Sequence, residues 1–232
     1  MSKRLDDIMK QNAQWEKETP YNFCDRWCAR CSIDKQTRCT IYLNETEQQI
    51  TCIAHGREDD PEMTEAVISA QYDGLDEKFQ EMAEELDIDP DEPSEEDNDW
   101  QERTRTAGND PLTKTAKNYF FHANAFLEKA SAQPQFSDPK LKEHLHIIGW
   151  YHTLLPVKLA RALSGIPDES EESFGLHDAV AQLQICKKAA DLSIQAWHAI
   201  AEATPAFRTD ISRLTALLNN ILSRIKLLEE SI

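Results

Sequence analysis

Four stretches in the second half of the chain repeat apolar residues every three or four positions, and that period decides the fold class. Thr113–Ala132 sets Ala116, Tyr119, Phe120, Ala123, Leu127 and Ala130 on one helical face. Pro139–Leu163 does the same with Leu141, Leu145, Ile148, His152, Leu155 and Leu159, and stops at Gly165 with Pro167 just beyond. Glu172–Ala203 gathers Ala179, Leu183, Cys186, Ala190, Ile194, Trp197 and Ala201. In Asp210–Ile232 the steps alternate strictly between three and four, through Ile211, Leu214, Leu218, Ile221, Ile225, Leu228 and Ile232. One amphipathic helix cannot hide its stripe alone. Four of them on short connections predict an antiparallel four-helix bundle over 111–232. The heptads of the last stretch also admit a homodimer through that helix. Leu217 and Leu222 widen its stripe beyond a two-stranded seam, which favours packing inside the bundle.

The first half reads as helix and loop. Ser2–Lys17 suits a short helix with Leu5, Ile8 and Met9 on one side, ended by Thr19-Pro20. A cysteine-rich stretch follows, giving a small module over 1–60. Asp60-Pro61 reads as a cap followed by proline in the first turn, opening a helix over 61–86 with Met63, Val67, Ala70, Leu75, Phe79 and Met82. Gly74 weakens that helix. Residues 87–110 are acidic and hold Pro90 and Pro93, a composition that predicts a flexible linker. The chain has only six glycines and no strand pattern, so the expected class is all-α.

Charge narrows the function. The formal net charge is −17, and Asp76–Asp99 carries thirteen acidic residues against Lys78 alone. Such a chain has no long-range attraction for phosphate backbones, so nucleic acid is not suggested. No stretch approaches the roughly 20 continuous apolar residues of a membrane span. Met1–Lys10 carries charges of both signs and lacks the apolar run of a signal peptide. A soluble, cytoplasmic protein is expected. Asp87, Asp89 and Asp91 do not make a calcium loop, because Glu92 stands where glycine is needed and Asn98 where glutamate is needed.

The chemistry is concentrated in Cys24-x3-Cys28-x2-Cys31-x7-Cys39. If Phe23–Cys31 is helical, steps of four and three bring three thiols to one face, and Cys39 closes a shell after a loop. Disulfides are disfavoured by a reducing compartment and by strain between such close cysteines. Arg26, Arg30, Lys35 and Arg38, against Asp25 and Asp34, would favour thiolates and offset an anionic four-sulfur site. The expected ligand is a zinc ion or a [4Fe–4S] cluster, with Cys52 and His55 as substitutes for Cys39 or as a second half-site. Tyr21, Phe23, Trp27 and Tyr42 would supply the small core of such a module. The C-x3-C-x2-C spacing also resembles the cluster loop of radical-SAM enzymes, but the alternating strands and helices of that barrel are missing.

Glu143-x2-His146 is half of a di-iron carboxylate motif without its second half. His122, His146 and His152, with Glu128 on the first of the predicted helices and His177 and His198 on the third, define a weaker alternative: a histidine-lined pocket in the bundle. His152 sits in an apolar stripe, where a hydrogen-bonded core histidine is the ordinary outcome. Cys186 reads as a packed core residue. No phosphate loop, nucleophile elbow or dinucleotide fingerprint occurs.

The run Asn22-Phe-Cys-Asp-Arg-Trp-Cys-Ala-Arg-Cys31, the acidic middle, Gly149-Trp-Tyr-His152, Lys158-Leu-Ala-Arg-Ala-Leu163 and Ala196-Trp197 resemble a bacterial family to which no activity is assigned. The likeness spans most of the chain and implies no reaction. The expectation is a metal-binding helical protein acting as a structural, regulatory or partner-binding module. Iron–sulfur electron transfer or redox sensing, and catalysis in a histidine pocket, are the alternatives.

Overall fold

The computed structural model describes residues 3–58, 60–72, 78–79, 81–82, 95–166 and 174–232. Every regular element among them is a helix. None is long and apolar enough to cross a membrane. The chain divides into two compact units: Met1–Trp27 with Trp100–Ile232, and Cys28–Asp99.

In the larger unit, α1 is Lys3–Trp15, and the four long helices are α6 (Pro111–Ser131), α7 (Pro139–Gly165), α8 (Phe174–Ala203) and α9 (Arg208–Ser231). The start signals of α6 and α7 are alike. Asp110 caps α6 by accepting the Leu112 N–H at 2.6 Å, with Pro111 next. Asp138 caps α7 by accepting the Lys140 N–H at 2.7 Å, with Pro139 next. Each proline fills a position whose N–H has no partner within the helix. Pro156 lies inside α7, where it withholds the N–H that would bond the His152 carbonyl.

The helices pack α6 on α7, α7 on α8, α8 on α9 and α9 on α6. Their core contains Tyr119, Phe126, Ile148, Tyr151, Leu155, Trp197 and Leu218. The predicted faces are largely those buried: Ala116, Ala123 and Ala130 of α6, Leu159 of α7, Leu183, Cys186 and Ala190 of α8, and Ile211, Leu214, Ile221 and Ile225 of α9. On α6 the interior position falls to Phe126 rather than Phe120. The stripe of α9 that a dimer seam would have used lies in this core. Trp197 sits at the centre, its indole N–H donating to the Tyr119 hydroxyl at 3.0 Å and its ring edge-on to Phe126 at 4.9 Å.

Two sequence boundaries differ from what is observed. The first helix does not join a module over 1–60. Leu5 and Ile8 are buried with Leu176 and Val180 of α8, and Asn12 and His177 exchange two 2.8 Å hydrogen bonds. The acidic stretch 87–110 is not linker throughout, because Glu95–Asn109 is helical (α5). Arg105 binds Glu102 at 2.7 Å, one turn back. The remainder, 87–94, lies outside the described residues, as does most of 73–86 in the expected helix.

The smaller unit holds α2 (Ile33–Gln36), α3 (Thr40–Ala54) and α4 (Pro61–Tyr72). Gly56 ends α3 in the left-handed conformation at φ 64°, and Arg57 N–H reaches back to the Cys52 carbonyl at 3.0 Å. The α3 and α4 helices pack together. Among the described residues of this unit, only Cys39, Cys52 and Val67 are buried apolar side chains.

Truncating the centre of the larger core should therefore be costly. Trp197→Ala is expected to lose about 3–5 kcal/mol in urea unfolding followed by circular dichroism, while Phe121→Ala, on the exposed face, stays within about 0.5 kcal/mol.

Candidate functional site

The chain around the first cysteine is irregular. Pro20–Phe23 forms one 3-10 turn, and Cys24 is extended, its thiol donating to the Tyr21 carbonyl at 3.5 Å. Arg26 then adopts the left-handed conformation at φ 58°, uncommon for a residue with a side chain. A helix over Phe23–Cys31, the basis for placing three thiols on one face, is not formed.

The reason is tertiary. A helix would direct the Asp25 carbonyl to the N–H four residues on. Instead it accepts the Trp150 indole N–H at 2.9 Å. The Asp25 carboxylate is nearly buried and accepts the Tyr151 hydroxyl and the Lys188 ammonium, each at 2.8 Å, as well as the Trp27 N–H at 3.2 Å. Burial alone would raise its pKa. The Lys188 and Tyr151 bonds, the Lys188 charge and the Trp27 N–H outweigh burial and hold the carboxyl below the usual range. Trp27 is buried beside it, stacked on Trp150 at 5.3 Å and edge-on to Tyr151 at 5.5 Å and His146 at 5.4 Å. Cys24 thus precedes a turn fixed at both its acid and its aromatic residue. Burial pushes the Cys24 thiol up, against the lowering influence of the Arg26 backbone bond and of the Lys158 and Arg26 charges.

The other cysteines of the motif belong to the smaller unit. Cys28–Arg30 is a single 3-10 turn closed by the Cys31 N–H on the Cys28 carbonyl at 3.0 Å, and the Gln36 side-chain amide donates to the same carbonyl at 2.8 Å. Cys39 caps α3, its sulfur accepting the Tyr42 N–H at 3.5 Å. All six cysteines are free thiols. Cys52 is buried toward α4, its sulfur 3.9 Å from the Thr64 hydroxyl, whereas the exposed His55 ring is bonded at 2.9 Å to the Thr51 carbonyl of its own helix. Among the described residues, no three His, Cys, Asp or Glu side chains gather as they would around a metal ion.

The histidines of the long helices have separate surroundings. His122 is exposed on a cleft between α6 and α9, with Lys129, Asp210 and Arg213. His146 is exposed against Trp27. His152 is buried beneath Phe120, stacked at 5.2 Å, and its Nδ1 shares the Ile148 and Gly149 carbonyls at 3.1 and 2.8 Å. Burial lowers its pKa despite those carbonyls, which suits a neutral packed ring. His177 is held by Asn12, and His198 is exposed. Glu128 accepts the Asn124 amide of its own helix at 2.8 Å.

No protein-family model, curated protein or solved structure matches the chain.

Asp25 gives a testable pH dependence. Its carboxyl is held below its unfolded value, so its stabilisation is complete above about pH 4 and is lost as pH falls further. Asp25→Asn should cost about 1.5–3 kcal/mol at pH 7, the range for a hydrogen bond to a charged group. In urea titrations at pH 7 and pH 3, the gap between wild type and variant should shrink at the lower pH. A constant gap would show that charge is not what Asp25 contributes.

Proposed function

We propose that this protein binds one metal centre, a zinc ion or a [4Fe–4S] cluster, through Cys24, Cys28, Cys31 and Cys39, and that the centre is structural. In this reading the four long helices form an antiparallel four-helix bundle that carries the metal-binding segment. The observation that supports it is the thin interior formed by the described residues of Cys28–Asp99. Three buried apolar side chains among the described residues, two of them cysteines, are a small core for a folded unit, while Ile33, Leu43, Ile50, Ile53 and Tyr72 remain exposed. Units with too little apolar burial are ordinarily fastened by disulfides or metals, and these thiols are free.

The donor set fits either group, since four thiolates are ligands common to zinc and to a [4Fe–4S] cluster. The side chains are not gathered as they stand, so the assignment rests on their spacing and on the scarcity of other fastening. A bound centre would supply metal–sulfur bonds that fasten the segments bearing these cysteines. The fixed turn at Asp25 and Trp27 would hold Cys24, and the turn at Cys28–Arg30, closed by Gln36, would present Cys28 and Cys31.

Anaerobic purification with metal analysis and an absorption spectrum tests the reading. One zinc in a colourless protein, or about four irons in a brown one, is expected. Cys28→Ser should lose most of that metal. Removing the metal with a chelator should abolish amide-exchange protection in α3 and α4 and leave the interior of α8 protected. A protein carrying neither metal, with α3 and α4 equally protected before and after chelation, would refute it.

A further inference from the structure

The larger unit carries a second feature that the cysteines do not use. A cleft of about 770 Å³ opens where α6 meets α9. The sequence explains the opening. Midway along the seam each helix presents an alanine to the surface, Ala125 on α6 and Ala216 on α9. A methyl group cannot reach across, so the side chains beneath form an open floor. Phe126 and Leu214 are buried there, and Phe207 and Leu217 are half-buried. Phe207 lies edge-on to Phe126 at 5.5 Å, which makes one end of the floor aromatic.

The charged side chains of the cleft stand at that same end. Lys129 follows Phe126 by one turn of α6, and Arg213 follows Phe207 on α9, so facing helices each supply a cation. Among the described residues, neither cation has a hydrogen-bond or ion-pair partner. One acid, Asp210, lines the cleft with them. It lies in the first turn of α9, where the positive end of the helix partly offsets its charge. Beyond the lining residues the sign is the same. α6 and the stretch Pro205–Asn220 together carry Lys114, Lys117, Lys129, Arg208 and Arg213 against Glu128 and Asp210. Arg224 and Asp110, past the opposite end, lie 3.8 Å apart and cancel. The surplus of positive charge is local, in a chain of formal net charge −17.

We infer that this cleft binds a small aromatic anion, a molecule with a flat apolar body and one acidic head. The body covers the floor that the two alanines leave open, and the head meets Lys129 and Arg213. Neither cation gives up a protein partner to do so, and the bonds formed are charge-assisted. The volume is of the order of known small-molecule pockets, about 300–1,000 Å³.

Nuclear magnetic resonance titration of the isotope-labelled full chain with 2-naphthoate tests this. Saturable shifts of backbone amides within 115–129 and 207–220 are expected. Binding should be at least about tenfold tighter than for 2-naphthylmethylammonium, which has the same rings and the opposite charge. Lys129→Glu and Arg213→Glu, at exposed positions, should each weaken 2-naphthoate about fivefold or more. Ala216→Trp fills the cleft from an exposed helical position, so it should abolish binding and leave the unfolding midpoint unchanged. If that midpoint falls, the two charge reversals decide. No saturable shifts, shifts confined to other helices, equal binding of the ammonium compound, or undiminished binding in both charge reversals each overturns the assignment.

Discussion

The larger unit is organised by a helix whose first half has almost no solvent side, while Lys188, Asp191, Gln195, His198 and Glu202 keep an exposed stripe on its second half. Leu176, Val180, Leu183, Cys186, Ala190, Trp197 and Ile200 of α8 are buried, along with His177, Gln182 and Ser193. A helical stretch buried on every side must be surrounded. Its neighbours are α7, α9 and α1, and the 3-10 turn at Pro20–Phe23 also packs on it. The polar residues that accompany this burial become the contacts that place the N-terminal segment. His177 binds Asn12, and Gln182 donates to the Asn22 carbonyl at 3.2 Å. The turn after Cys24 inherits its position from those contacts and from Lys188 on the same helix.

Periodicity revealed most of the helices, because each long helix must hide a stripe and the stripe is written at steps of three and four. The cap signal read at Asp60-Pro61 recurs, unread, at Asp110-Pro111 and Asp138-Pro139. Periodicity did not reveal that α8 would be buried on several sides, since its small residues satisfy more than one face. Nor could composition see that the acidic stretch is helical from Glu95 onward. Low hydrophobicity argues against a core, but it does not forbid a helix supported by pairs one turn apart, such as Glu102 and Arg105.

The site was less legible than the fold. The cysteine spacing is unmistakable in the sequence, yet the expected helix through Cys24–Cys31 fails, because Asp25 and Trp27 make long-range contacts that local propensity cannot anticipate. Trp150 and Tyr151, adjacent on α7, fall outside the stripe that the helical period marks. Their polar atoms prove to hold Asp25. Likewise Ala125 and Ala216 carry no signal in a helical period, which reports what is buried and not what is left open along a seam.

The partners of Asp25 also set an order in time. They stand 125, 126 and 163 residues further along the chain. Closing loops of that length is entropically unfavourable and slow compared with winding a local helix. During synthesis, which proceeds from the N-terminus, the segment bearing all four motif cysteines is complete long before Lys188 exists to hold the turn beside them. For that interval the thiols belong to a short, unsupported piece of chain. Whatever chemistry reaches them first, whether a metal or an oxidant, meets them before the helices that will fix Asp25 have been made.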